Sequence, residues 1–184
     1  MSPGYIVLIV VVVLGGWVVV AYNGLIRLRI RAEEAWRDID TQLKRRWDLI
    51  PNLVATVKGY ATHEEAVFRG VTEARARAVN ANGPAEQAAA DAGLAGALKT
   101  LFAVVENYPE LKANTNFLQL QRSLETLEQE IERSRRYYNA VVRDYNTRIA
   151  VFPNNLISGL FRFKPRDFYK LEDVEQRETP EVSF

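Results

Sequence analysis

Apolar and polar positions in this chain follow two regimes. From Tyr5 to Tyr22 the sequence reads YIVLIVVVVLGGWVVVAY, 18 residues without a strongly polar side chain. At 1.5 Å per residue a helix of that length reaches ~27 Å, close to the hydrocarbon thickness of a bilayer. The β-branched run Ile9–Val13 is mediocre helix in water. In lipid the backbone must satisfy its own hydrogen bonds, and helix wins. Trp17 and Tyr22 toward one end and Tyr5 at the other sit where interfacial aromatics do. A cleaved signal peptide is the rival reading, with Val19 and Ala21 as the small residues before a cut. No Lys or Arg precedes the run, however, and it exceeds the usual signal core. We expect a retained anchor over residues 1–24, meeting the lipid bilayer through residues 5–22.

Beyond Tyr22 the apolar residues recur at helical spacing. Trp36, Ile39, Leu43, Trp47 and Ile50 step by 3, 4, 4 and 3. Pro51 lacks an amide donor and clashes with the preceding turn, so a kink or a restarted helix is expected, with Asp48 placed to cap it. Leu53, Val57, Tyr60, Phe68 and Val71 continue an apolar face to about Val79, and Asn82-Gly83-Pro84 reads as a turn. The next stretch is Ala-rich, with Gly93 and Gly96 a turn apart as small residues for close backbone approach. Asn114 or Thr115 is placed to cap the last helix. There Phe117, Leu120, Leu124, Leu127, Ile131, Ser134, Tyr138, Val141 and Tyr145 alternate steps of 3 and 4, extended by Ile149 and Phe152. That 3.5-residue period belongs to a coiled-coil or bundle seam. The predicted class is all-α: the transmembrane helix, then an elongated antiparallel bundle over 25–152 with helices at about 25–50, 51–79, 85–108 and 115–152. A tail over 153–184 follows.

Charge and composition narrow the chemistry. Of the 184 residues, 24 are basic and 23 acidic, which lacks the basic excess of a nucleic-acid binder. With no Cys and one His, thiolate chemistry is excluded and a zinc enzyme disfavoured. His63-Glu64-Glu65 opens like a zinc-protease motif, but Val67 stands where the second His belongs, leaving a surface His beside Glu. Asp38, Asp40 and Asp48 are the candidate acid-base or metal cluster, but Asp38 and Asp40 are two apart and point to different sides of a helix, so ordinary pairing with Arg37, Lys44, Arg45 and Arg46 is favoured. No Ser elbow, phosphate loop or dinucleotide fingerprint occurs, so neither an enzyme nor a cofactor is expected. Arg27, Arg29, Arg31 and Arg37 follow the apolar run, which by the positive-inside rule puts the C-terminal part in the cytoplasm and the N-terminus outside. Glu33, Glu34, Asp38 and Asp40 interleave with them, so helix-face pairing is the competing use of these Arg.

Several long segments resemble the LemA family in matching order. They are YNGLIRLRIRAEEAW (Tyr22–Trp36), DIDTQLKRRWDLIPNLVATVKGYATHE (Asp38–Glu64), VTEARARA (Val71–Ala78), YPELKANTNFLQLQ (Tyr108–Gln121), ERSRRYYNAVVRDYNTRIAVFP (Glu132–Pro153) and NLISGLFRFKPRDFY (Asn155–Tyr169). Trp47 departs from the smaller polar or aromatic residue expected there, and the tail after Lys170 does not align. The resemblance implies a bacterial inner-membrane protein with an N-terminal anchor and a soluble bundle of long antiparallel helices. The family has no established enzymatic activity. Its relatives are often encoded near membrane metalloproteases or other envelope proteins, and one branch contributes to magnetosome membranes. By analogy that implies scaffolding or envelope upkeep.

Interaction, then, is the function to look for. In the tail, Leu156, Ile157, Leu160, Phe161 and Phe163 cluster, followed by basic Arg162, Lys164 and Arg166 and by Phe168 and Tyr169. These residues either fold back on the bundle, or dock a neighbouring subunit or anionic lipid. The contact candidates are Leu156, Ile157, Leu160, Phe161, Phe163 and Phe168, together with Trp36, Trp47 and the basic run Lys44, Arg45 and Arg46. For that run a solvated helix face is the competing reading. The first expectation is a homo-oligomeric scaffold. The alternatives are an adaptor that recruits or restrains a membrane protease or other envelope protein, and a lipid-binding membrane-remodelling protein. Residues 172–184 are acidic and turn-rich, as a chain terminus often is.

Overall fold

The computed structural model describes residues 3–170, and all regular structure among them is helical. Six helices follow in order: α1 (Pro3–Lys58), α2 (Glu65–Asn80), α3 (Gly83–Val105), α4 (Pro109–Lys112), α5 (Thr115–Ala150) and α6 (Asn154–Leu160). The acidic segment after Glu172 lies outside the described residues. The described residues divide into two compact units, one of residues 3–40 with 132–168 and one of 41–131 with 169–170.

In the first unit the early part of α1 pairs antiparallel with the later part of α5. Leu25 clusters with Tyr145 and Ile149, while Trp36 meets Tyr138 at 5.6 Å between ring centroids. The small residues Ala21, Ala32 and Ala35 are buried along α1 and leave room for the larger α5 side chains. α5 ends at Ala150, and the chain turns through a cis Phe152–Pro153 peptide into α6. The extended segment after α6 carries the chain back along α5.

The second unit contains the rest of α1, α2, α3, α4 and the first part of α5. Leu43, Ile50, Leu53, Val57, Val71, Leu94, Leu98, Leu101, Leu111 and Ile131 are buried in it. α3, like α1, is long and apolar enough to cross a membrane. Its Leu94, Leu98, Leu101 and Val105 are buried, however, and Asp91 among them is ion-paired with Arg46, so we read it as a core helix. Asn114 caps α5: its Oδ1 accepts the Phe117 amide at 3.0 Å, while its Nδ2 donates to the Tyr60 hydroxyl at 2.9 Å.

Three expectations from the sequence are corrected here. α1 runs unbroken through Pro51, so no restart is capped by Asp48. Proline at 51 deprives the Trp47 carbonyl of its helical donor, and Arg75 of α2 supplies a replacement, Nε donating to that oxygen at 2.7 Å. The break comes instead at Gly59–Glu64, so the helices placed at 25–50 and 51–79 are Pro3–Lys58 and Glu65–Asn80. Gly93 and Gly96 lie on an exposed face, where an added Cβ would meet nothing within 4 Å, so they permit no close approach.

Candidate functional site

The site is built where the apolar stretch of α1 ends. Ala21 and Leu25 are buried against Tyr145, Ile149 and Ile157, with Trp17, Val18, Tyr22, Leu28 and Phe163 packed around them. The anchor expected over 1–24 therefore shares its last two turns with the core of the first unit, and a boundary after residue 24 cuts through that core.

α6 is short, but it is fixed at both ends. Buried Ser158 shares its one hydroxyl proton between the Ile149 carbonyl at 2.7 Å and the Asn155 carbonyl at 3.0 Å. At its C-terminus the Phe163 amide donates to the Ser158 carbonyl at 2.9 Å, and the Arg162 amide donates to that of Gly159 at 3.3 Å. These two bonds make a Schellman motif, whose left-handed position is filled by Arg162 at φ 56° rather than by glycine. A side chain in that conformation costs about 1–2 kcal/mol.

The arm that follows is bound to α5 by its backbone. Asn146 donates Nδ2 to the Arg166 carbonyl and accepts the Arg166 amide at Oδ1, both at 2.9 Å. The Tyr145 hydroxyl donates to the Lys164 carbonyl at 3.0 Å, and that of Tyr138 to the Asp167 carbonyl at 2.8 Å. Arg166 completes the clamp by pairing with Glu33 of α1, which also accepts Arg29 Nε at 3.3 Å. Burial pushes both tyrosine phenols above their ordinary range of about 10, against the lowering pull of the Arg166 cation. They stay neutral donors through physiological pH.

Phe161 and Phe163 pack on the Tyr22 ring, at 4.7 and 5.8 Å between centroids. Beside them lies a cleft of about 380 Å³, lined among others by Tyr22, Arg29, Tyr145, Arg162, Lys164 and Arg166. On the outer side of α6 a different surface appears. Leu156 and Leu160, one turn apart, are 61% and 72% exposed, and Phe152, in the turn just before the helix, is 77% exposed. α6 thus presents exposed apolar side chains on a helix that Ser158 and Ile157 hold in place.

The interaction candidates from the sequence separate accordingly. Leu156 and Leu160 stand exposed, and Phe161 is half-exposed. Phe163, Phe168 and Trp36 are half-buried. Ile157 is buried in the cluster that holds α6, so it pins the arm rather than meeting a partner. Lys44 and Arg45 are exposed, but Arg46 is 2% exposed and Trp47 is buried too. Arg46 belongs to neither a solvated face nor a contact surface. The pairing with Asp38 or Asp40 expected for it is corrected: it pairs with Asp91 of α3 and, through Nη1 at 2.7 Å, with Glu128 of α5. Its acids come from distant helices because the 3–4 period turns position 46 inward beside Leu43 and Ile50. Sequence patterning singles out neither Asn146, Ser158 nor Glu33; the one available signal was a small polar residue at 158 between Ile157 and Leu160.

Among the described residues, no group of three or more His, Asp or Glu side chains is placed to hold a metal ion. The chain is 25% identical to Magnetosome protein MamQ 2 of Paramagnetospirillum magneticum over 81% of its length, and 24% identical to Magnetosome protein MamQ of Magnetospirillum gryphiswaldense over 80%. It spans 64% of the length of each of these relatives. It is also 26% identical to Protein LemA of Metamycoplasma hominis, over 84% of this chain and 71% of that one. The LemA family profile matches residues 35–184, through the later part of α1, all of α5 and the clamped arm, and the chain belongs to the LemA family.

Proposed function

We propose that this protein is a non-catalytic scaffold, anchored in the bacterial inner membrane by the apolar start of α1, which assembles with copies of itself through α6. The observation that carries this reading is the exposed pair Leu156 and Leu160 on α6, with exposed Phe152 just before it, on a helix that the Ser158 hydroxyl and the buried Ile157 side chain already hold against α5 and α1. Such preorganisation lowers the ordering penalty of association. An apolar stripe beside the end of a membrane span also sits where neighbouring copies meet laterally. Membership of a family that includes proteins named for the magnetosome is compatible with a structural role in a membrane. The soluble part faces the cytoplasm in this proposal, following the Arg residues after the apolar run.

The test is the native mass of the full-length chain extracted in mild detergent. A defined assembly is expected, and Leu156→Ser with Leu160→Ser is expected to reduce it to a smaller species with unchanged helical content. Phe161 and Phe163 are poorer probes, because truncating them also loosens the arm from Tyr22. A monomeric wild-type mass would overturn self-assembly and favour an adaptor that binds a different membrane protein.

A further inference from the structure

We propose that the cleft between α1 and the arm binds the phosphate headgroup of an anionic phospholipid. The inference rests on the reading of α1 as a membrane anchor. Tyr22, which lines the cleft, is the last residue of the apolar run, so the cleft opens at headgroup depth. Its lining includes Arg29, Arg162, Lys164 and Arg166 and no acidic side chain. Glu33 engages Arg29 and Arg166. Arg162 and Lys164 have no acidic partner among the described residues. The walls beside these cations are aromatic, and Leu160 next to them is exposed, an arrangement suited to a ligand that is anionic at one end and hydrocarbon at the other.

Arg162 carries the argument further. It occupies the left-handed position of the Schellman motif, where glycine fits without strain. Local folding therefore gives no reason for a long cationic side chain there. A headgroup phosphate gives one, because the motif aims residue 162 into the cleft that Lys164 also lines.

The experiment uses the full chain in mixed detergent micelles holding phosphatidylglycerol and phosphatidylcholine, with the retained lipid read by native mass spectrometry. Wild type is expected to retain phosphatidylglycerol preferentially. Arg162→Gly with Lys164→Gln is expected to lower that preference roughly thirtyfold, the order expected for two cations near a lipid surface. Arg162→Gly alone is expected to raise the melting temperature while weakening lipid retention, opposite signs that a merely structural residue would not give. Arg136→Gln with Arg143→Gln, both exposed on α5, is the control; an equal loss there would overturn the cleft as the site. Competition by inorganic phosphate at millimolar concentration would reassign the cleft to a soluble phosphate and overturn the lipid. Alkaline carbonate extraction separates the two failures. A chain that is released overturns the anchor and the lipid site with it, whereas a membrane-resistant chain with no lipid preference overturns the site alone.

Discussion

Pro51 and Arg75 form a replacement pair: one removes a backbone donor and the other supplies it to the Trp47 carbonyl. Arg75→Ala is expected to destabilise the protein by about 1–3 kcal/mol by orphaning that oxygen. Pro51→Ala in the same chain should restore most of the loss, since an alanine at that position brings its own amide to the ladder. Urea denaturation of the four members of the cycle checks this, and additive effects would refute it. Arg46 invites a similar test. Arg46→Met removes the cationic partner of buried Asp91 and is expected to lose roughly 3–5 kcal/mol, with Arg46→Met/Asp91→Leu recovering most of it. Neither pair was legible in the sequence. Pro51 signals a break to any reader, and nothing near it announces that the missing donor arrives from another helix. Arg46 sits in a basic run whose neighbours Lys44 and Arg45 do face solvent; only the 3–4 period hints otherwise.

Among the elements, α5 was the most readable. Phe117, Leu124, Leu127, Ile131, Tyr138, Val141, Tyr145 and Ile149 are buried, as their spacing implies, and Leu120 and Ser134 are half-buried, whereas Phe152, expected to extend the seam, lies past the helix end and is exposed. The end of α1 was the least readable, because Tyr60 keeps the apolar period across a turn that Gly59 alone marks. The arm was half legible: its apolar cluster is obvious, while the hydrogen bonds from Asn146 and Ser158 depend on a fold-back that patterning does not encode. The arm's phenol hydrogen bonds carry a pH signature. Because the folded-state values of Tyr138 and Tyr145 are raised, the native protein holds protons that the unfolded chain releases. Their contribution is fully present below about pH 10 and is lost as pH rises through the folded values. Melting temperature should fall above pH 10 in wild type, while Tyr138→Phe/Tyr145→Phe should be less stable at pH 8 and flatter across the alkaline range. On α3, Gly93→Ala and Gly96→Ala should each stabilise by about 0.5–1 kcal/mol, since both sites are helical and open. A loss in thermal denaturation would show that the exposed face has a use.

For the whole molecule, the anchor and the first unit cannot be separated at the edge of the apolar run. A chain starting at residue 25 loses Ala21 and Tyr22, which hold α6 and the two phenylalanines. It is expected to bind hydrophobic dyes and to be cleaved by protease within 153–169, whereas a chain starting at residue 15 keeps the cluster and should resist. Equal resistance of the two would mean that α6 is held by α5 alone. The proline in α1 has a consequence of another kind, for the order in which the chain takes shape. The donor for the Trp47 carbonyl lies 28 positions downstream, so during synthesis the ladder stays open at that point until α2 has emerged and folded back. The stretch of α1 around Pro51 is therefore a late-closing joint, finished by the docking of a neighbour rather than by helix growth.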